Sequence, residues 1–201
     1  MPRMDDGRVC AAPVPGDMAP EFRLPVAQGG EMGPADFRGR ANLVLWFSKG
    51  LTCPFCRRNM AQLGQRYPEF RARGAEILQV THNTFDEGRR YLGHYPIVFP
   101  YLCDPDRSAH ERYGLAMIPA ALSTIVRSGI AYTTDLMLRG QTTPSPVPYF
   151  KRYPGKDSPQ AVFIVDRTGV IRFAYGLQST ETLPVPPELL RALATLDAAA
   201  A

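Results

Sequence analysis

Hydrophobic and polar residues follow one another along the chain in blocks that predict strands and helices in turn. Residues 43–47 form an apolar run of strand length bounded by polar residues and glycine, which predicts a buried strand. After it the apolar positions take helical spacing, and Gly74 is a suitable end for that helix. Its apolar face carries Met60, Leu63, Tyr67 and Phe70. Residues 75–81 (AEILQVT) predict a second buried strand.

The same alternation continues after this strand. Thr84 is a candidate N-cap, and Glu87 three residues later completes the spacing of a capping box, so a second helix is predicted there. Residues 97–102 predict a shorter strand, which Pro100 places near a sheet edge. A short helix is predicted at 108–113. Strands and helices in this order predict a layered α/β domain with parallel strand pairs.

The end of the chain predicts a hairpin and a helix. The apolar runs 161–165 and 170–175 are joined by the turn sequence Asp-Arg-Thr-Gly, which is typical of two antiparallel strands. Two prolines at 186–187 then open a last helix with an alanine tail.

Residues 117–158 interrupt the alternation. A first part has apolar residues at helical spacing, and a second part is rich in proline and aromatic residues. We interpret the segment as an insertion that covers a sheet edge or forms a dimer contact, because an apolar helix needs burial wherever it lies. The alternative is a lid that controls access to a functional site.

Composition narrows the class of protein. The 201 residues are 45% hydrophobic and 21% charged, which is typical of a soluble globular protein. We expect a flexible tail at 1–14 and one domain at 15–198 that carries the insertion. No apolar stretch is long enough to cross a membrane, and the N-terminus lacks the apolar core of a secretory signal, so we expect a cytoplasmic protein. The net charge of +4 is scattered without a basic stripe, which argues against nucleic-acid binding.

Two cysteines stand where the first predicted strand passes into the first predicted helix. In such a turn, free backbone N–H groups and the positive end of the helix dipole favour a thiolate, so Cys53 and Cys56 predict redox chemistry. Half of a zinc site is an alternative, but Cys10, Cys103 and the histidines show no ligand spacing. A structural disulfide or an inert buried pair fits less well with the basic residues on both sides. We therefore expect no metal and no organic cofactor.

Four stretches carry a resemblance to a known family: GDMAPEFRL at 16–24, residues 36–56, FPYLCDPDRSAHERYGL at 99–115 and AVFIVDRTGVIRFAY at 161–175. With them the chain resembles the peroxiredoxin branch of the thioredoxin fold, the alkyl hydroperoxide reductase and thiol-specific antioxidant (AhpC/TSA) family, and most closely its peroxiredoxin-like members with a C-P-x-C site. The resemblance implies a thioredoxin-like, three-layer α/β/α fold around a central mixed sheet. The helical and proline-rich insertion is additional to that fold.

In this family a P-x-x-x-T-x-x-C motif ends in the cysteine that attacks peroxide. When the motif is aligned on the end of the strand, Cys56 takes the attacking position and Cys53 that of the threonine. Ser48 or Lys49 lies near the position of the proline, and Thr52 precedes the threonine position by one residue.

The resemblance also indicates supporting residues. Gln160 stands where the family has its activating arginine, and Pro159 is a candidate for the cis-proline that faces the cysteines in thioredoxin-like proteins. Arg57 and Lys49 are candidates for the positive charge that the absent arginine would supply.

Two reactions fit this site. In a thiol peroxidase, the Cys56 thiolate becomes a sulfenic acid that condenses with Cys53 to a disulfide. In a protein-disulfide reductase, Cys53 attacks the substrate and Cys56 resolves the mixed disulfide. We expect hydroperoxide reduction at the expense of a thioredoxin- or glutaredoxin-type electron donor, and the resemblance suggests a homodimer. A hypothesis of another class is a non-enzymatic redox-sensing or interaction protein, in which the cysteine pair switches the conformation of the insertion.

Overall fold

A computed structural model of the chain describes residues 11–93, 95–120, 130, 134, 151–177 and 184–199. The strands of the described part are β1 (Leu24–Pro25), β2 (Glu31–Met32), β3 (Asn42–Ser48), β4 (Ala75–Thr81), β5 (Tyr101–Cys103), β6 (Ile118–Pro119), β7 (Lys156–Asp157), β8 (Gln160–Val165) and β9 (Ile171–Leu177). The helices whose bounds the described residues give are α1 (Pro54–Ala72), α2 (Phe85–Leu92), α3 (Ser108–Arg112) and α4 (Pro186–Ala199), with short 3-10 turns at Pro34–Phe37 and Gly50–Thr52.

A five-stranded mixed sheet in the order β5-β4-β3-β8-β9 forms the centre of the structure. The strands β3, β4 and β5 are parallel, whereas β8 runs antiparallel to both β3 and β9. Because β3 lies in the middle, all seven of its residues are buried, which agrees with the apolar run at 43–47. Two small antiparallel ladders, β1 with β2 and β6 with β7, lie outside this sheet.

Alternate side chains of β3 pack in two different apolar cores, since successive side chains of a strand point to opposite faces of the sheet. Val44 and Trp46 pack in the core that also contains buried residues of α1 and α4. Leu45 and Phe47 pack in the second core, with Ala109 of α3 and the N-terminal segment. Each of these large buried side chains contributes about 1.5–3 kcal/mol to folding. The sheet is therefore covered on both faces, and the predicted three-layer α/β/α arrangement is confirmed.

The local predictions are confirmed where neighbouring residues carry the signal. The strand β4 has the predicted bounds, and Thr84 caps α2 in a capping box with Glu87. The helix α1 ends before Gly74, whose φ of +62° is a left-handed conformation that glycine adopts without strain. The predicted helix inside the insertion lies outside the described residues. Among the helices that the structure describes, none is long and apolar enough to span a membrane.

Candidate active site

The two cysteines lie at the junction between the carboxyl end of β3 and the start of α1. Cys53 is the N-cap of α1, and its Sγ accepts a hydrogen bond of 3.3 Å from the backbone N–H of Cys56. Both cysteines are buried, but Cys53 retains 7% of its surface whereas Cys56 has none. The predicted turn from strand to helix is thus confirmed, and of the two sulfur-bearing residues Cys53 is the one that reaches the surface.

The turn before the cysteines is fixed by a side chain from another element. Asn83 follows β4, and its Oδ1 accepts hydrogen bonds from the Leu51 backbone N–H at 3.3 Å and the Tyr101 hydroxyl at 2.7 Å. Gly50 has a φ of +72°, and a Cβ there would lie 2.1 Å from the same oxygen. Only glycine fits this position, so the backbone that leads to Cys53 can pack closely against Asn83, which follows β4.

The two thiols differ in acidity. Burial raises the pKa of Cys53, but hydrogen bonds from the Cys56 side chain and backbone and the charge of Lys49 lower it, and the net pKa is below the ordinary value. Burial raises the pKa of Cys56 well above its ordinary value, and its hydrogen bond to Cys53 and the Cys53 charge raise it further. A thiolate is the nucleophilic form of cysteine. The pair therefore combines a more acidic thiol at Cys53 with a less acidic thiol at Cys56.

Gln160 contacts the second thiol. It is the first residue of β8, is 1% exposed, and its Oε1 accepts a hydrogen bond of 3.2 Å from the Cys56 Sγ. The sequence indicates Gln160 because it shares the position of the family's arginine. The structure places its neutral amide against Cys56.

A buried ion pair lies beside the thiols. Lys49 Nζ is 2.5 Å from Oδ2 of Asp157, a residue of β7. Lys49 is one of the predicted candidate cations, and its charge lowers the pKa of both cysteines. Asp157 was not predicted. A buried lysine needs a carboxylate partner, but the sequence does not show which of the 19 acidic residues supplies it.

The other candidates have less direct positions. Thr52 ends the 3-10 turn directly before Cys53, and its side chain lies outside the described part of the structure. The charge of Arg57 affects Tyr91 of α2. Burial raises the pKa of Tyr91 to about 12, and the Arg57 charge opposes that rise. Cys103 is fully buried, and burial raises its pKa to about 12, which is typical of an unreactive core cysteine.

The prediction of a cis-proline at Pro159 is wrong. The peptide bond between Ser158 and Pro159 is trans. Trans is the lower-energy form even before proline, and the chain runs through it from the Asp157 ion pair into β8. It is Gln160 at the start of that strand that reaches Cys56.

A second polar cluster was not predicted. The His110 Nδ1 lies 2.6 Å from Oδ2 of Asp104, with both side chains fully buried, and the His82 ring lies 6.3 Å from that of His110. The sequence indicates part of this cluster, since an aspartate just before a predicted helix is a candidate to accept its first backbone N–H groups, as Asp104 does for α3. Within the described residues, no group of three or more His, Cys, Asp or Glu side chains is placed to hold a metal ion.

A model of the AhpC/TSA family matches residues 15–174, which is most of the chain. The chain belongs to the AhpC/TSA family. Its curated relatives include a putative peroxiredoxin of Mycobacterium tuberculosis and peroxiredoxin Bcp of Escherichia coli, each 28% identical over 100 residues. These matches cover 50% of this chain and 63% and 64% of the relatives, so the matched part spans less than two thirds of their length.

This AhpC/TSA chain also matches a thiol-disulfide oxidoreductase, ResA of Halalkalibacterium halodurans. It is 25% identical over 108 residues, which are 53% of this chain and 60% of that protein. The chain is thus similar both to proteins named as peroxiredoxins and to one named as a thiol-disulfide oxidoreductase.

Solved structures of peroxiredoxins resemble this AhpC/TSA protein over almost its whole length. Peroxidoxin BcpB from Mycobacterium tuberculosis is 16% identical with a TM-score of 0.62, covering 92% of this chain and 96% of its own. The reduced 2-Cys peroxiredoxin of Plasmodium vivax is 15% identical with a TM-score of 0.65, covering 92% and 97%. At this identity the likeness concerns the fold, and the predicted thioredoxin-like fold is confirmed.

Proposed function

We propose that this AhpC/TSA protein is a thiol-dependent oxidoreductase that reduces hydroperoxides, with Cys53 as the attacking thiolate and Cys56 as the resolving thiol. The observation that carries the proposal is the different setting of two thiols one helical turn apart. Cys53 has a lowered pKa and some exposed surface, whereas Cys56, whose pKa is raised, is fully buried behind it.

The reaction follows from this order. The Cys53 thiolate attacks one oxygen of the hydroperoxide, the O–O bond breaks, and the alcohol or water leaves after taking up a proton. Cys53 becomes a sulfenic acid. The Cys56 sulfur then attacks the Cys53 sulfur, the S–O bond breaks, and the hydroxide leaves as water with the Cys56 proton. Two electrons from an external dithiol, which we expect to be a thioredoxin- or glutaredoxin-type protein, return the disulfide to the starting thiols.

This order reverses the roles expected from alignment of the family motif, in which Cys56 attacks. The proposed order is supported by the position of Cys53 as the N-cap of α1 and by the hydrogen bond that it accepts from the Cys56 backbone. Such a bond stabilises a thiolate more than a thiol. Limited exposure of Cys53 favours a small substrate such as a hydroperoxide over a disulfide in a folded protein.

Stopped-flow mixing with hydrogen peroxide and with an organic hydroperoxide tests the proposal. In Cys56→Ser we expect fast formation of a stable sulfenic acid at Cys53, detected by dimedone trapping and peptide mass. In Cys53→Ser we expect no fast reaction. Sulfenate that forms only in Cys53→Ser would assign the attack to Cys56. Slow reaction of the native chain and of both single variants would contradict the proposed peroxidase activity.

A protein-disulfide reductase is the second candidate. It is favoured by the same low-pKa thiol at the N-terminal cysteine, which is the attacking position in such enzymes. Reduction of insulin disulfides measured beside peroxide consumption separates the two: rapid insulin reduction with slow peroxide turnover selects the reductase.

Three expectations from the sequence stay predictions. The redox-sensing hypothesis concerns a segment, 117–158, most of which lies outside the described residues. The homodimer and the cytoplasmic location need separate measurement by light scattering and by fractionation.

A further inference from the structure

The amide of Gln160 has one partner and one unpaired end. Its Oε1 accepts from Cys56, whereas its Nε2 is buried and has no hydrogen-bond partner among the residues that the structure describes. A buried amide N–H without an acceptor costs free energy, so its presence at this place needs an explanation.

Cys56 carries one thiol proton and has two acceptors for it. The proton reaches either Oε1 of Gln160 or the Cys53 sulfur, which also accepts from the Cys56 side chain. When the proton points to Cys53, or when it has left, the Cys56 sulfur itself becomes an acceptor. A partner that only accepts would then face a lone pair or a negative charge.

Rotation of the amide about its terminal bond solves this mismatch. A half turn exchanges Oε1 for Nε2 in nearly the same place, and terminal sp³–sp² torsions are broad and roughly two-fold. Since no hydrogen bond from a described residue holds Nε2 in its present position, the exchange breaks only the contact that it replaces.

We propose that Gln160 is a positioning residue for Cys56 that reverses its amide during the resolving step, accepting from the thiol and then donating to the thiolate. This inference rests on the proposed function in so far as Cys56 resolves an intermediate on Cys53. During that step the Nε2–H group stabilises the negative charge as Cys56 attacks the Cys53 sulfur. A donor of this kind is charge-assisted and therefore stronger than the bond to the neutral thiol.

The chain contains a matched control for this residue. Gln79 of β4 is also fully buried and also has one unpaired amide atom within the described structure, but its Nε2 donates at 2.8 Å to the Ser48 hydroxyl. Its orientation is therefore fixed, and that side-chain hydrogen bond is to a hydroxyl rather than to a thiol. Replacing Gln79 changes the packing of the sheet by the same number of atoms as replacing Gln160.

The test uses 4,4′-dithiodipyridine and follows thiopyridone release in a Cys10→Ser background, which removes a cysteine that lies outside the described residues. In the first step Cys53 attacks the reagent, its sulfur is oxidised to a mixed disulfide, and one thiopyridone leaves. In the second, the Cys56 sulfur displaces the other thiopyridone and forms the Cys53–Cys56 disulfide. This assay measures resolution without a hydroperoxide.

We expect Gln160→Met to leave the first step within about twofold and to slow the second at least about tenfold, because it removes a hydrogen bond to a charged group. Gln160→Glu keeps the acceptor and loses the donor, so the second step is also slow and its pH profile moves to higher pH. Gln79→Met resolves at the native rate. Thermal melting of the variants reports any loss of fold.

Three results overturn the inference: a native rate for the second step in Gln160→Met, a native rate in Gln160→Glu, or equal slowing in Gln79→Met. If the Cys10→Ser protein itself releases only one thiopyridone, no Cys53–Cys56 disulfide forms, and both the inference and the proposed function fail. If both steps occur but hydroperoxide is not consumed, only the proposed peroxidase activity fails.

Discussion

The ammonium of Lys49 lies 2.5 Å from a carboxylate oxygen of Asp157, and the two side chains are only 9% and 13% exposed. A buried charge is tolerated when it has a partner, and removal of one partner leaves the other uncompensated. Lys49 also lowers the pKa of both thiols, whereas Asp157 is not among the main influences on either. The ion pair thus holds a cation beside the thiols with its counter-charge in β7.

Replacement of Lys49 by methionine separates the two roles of this cation. Lys49→Met is expected to raise the pKa of Cys53 and to slow its alkylation at neutral pH several-fold, because the thiolate loses a favourable charge. It is also expected to lower the free energy of unfolding by about 3 kcal/mol, since the Asp157 carboxylate stays buried and loses the Lys49 counter-charge. The measurements are iodoacetamide alkylation against pH and urea unfolding.

The double variant Lys49→Met with Asp157→Asn provides the control for this prediction. It removes both charges, so much of the stability should return while the raised pKa of Cys53 persists. Arg71→Met serves as the remote comparison, because Arg71 pairs with Glu76 at the far end of α1. An unchanged Cys53 alkylation profile in Lys49→Met would contradict the electrostatic role of Lys49.

Alkylation against pH should also distinguish the two cysteines. Cys53 has a lowered pKa and should reach its full rate at a pH below the ordinary cysteine value, whereas Cys56 has a raised pKa and should stay unmodified through the same range. Peptide mass mapping after brief iodoacetamide treatment at several pH values reads each site separately. Preferential labelling of Cys56 near neutral pH would reverse the proposed assignment.

A buried histidine predicts how stability depends on acid. Burial lowers the pKa of His82 well below 6.5, and the charges of His110, Arg107, Arg152 and Lys49 lower it further. The unfolded chain therefore binds a proton near pH 6.5 that the folded chain does not bind. The stability that depends on neutral His82 is complete above that pH and is lost as the pH falls, by up to about 1.4 kcal/mol per pH unit.

His82→Gln should weaken this acid dependence. Urea unfolding at pH 7.5 and at pH 5 is expected to show a smaller loss of stability in the variant than in the native chain. His110 contributes in the same direction, since burial lowers its pKa too, so part of the acid dependence should survive. An identical loss in both proteins would show that the pKa of His82 is the same in the folded and the unfolded chain.

The elements that could be predicted are those whose signal lies in neighbouring residues. The capping box that begins α2 spans four residues, and β4 is a short segment rich in apolar residues, so both were found from the sequence. The cysteine site was found for the same reason, because Cys53 and Cys56 share one turn of chain.

The partners of that site could not be predicted in the same way. Lys49 and Asp157 are 108 residues apart, and only the antiparallel placement of β8 beside β3 brings their part of the chain together. The proposed roles of the two thiols depend on where α1 begins. A helix that starts at Pro54 makes Cys53 its N-cap, where hydrogen bonds from the Cys56 side chain and backbone lower its pKa, whereas spacing from the strand end assigned the attack to the second cysteine.

The last prediction concerns the glycine that shapes the turn. Gly50→Ala should lower the free energy of unfolding by about 2 kcal/mol or more, because its φ of +72° is unfavourable for alanine and the new Cβ would meet Asn83 Oδ1 at 2.1 Å. That oxygen also holds the Leu51 backbone N–H, so the turn and Cys53 should move together, and Cys53 alkylation should slow.

Gly155→Ala is the matched control, since Gly155 has a φ of +63° and a methyl group added there would have no described atom within 4 Å. It should lose only the backbone contribution, about 1 kcal/mol, and keep the native alkylation rate. Equal losses of stability in the two variants would show that the contact with Asn83 has no energetic weight, and an unchanged alkylation rate in Gly50→Ala would separate the turn from the reactivity of Cys53.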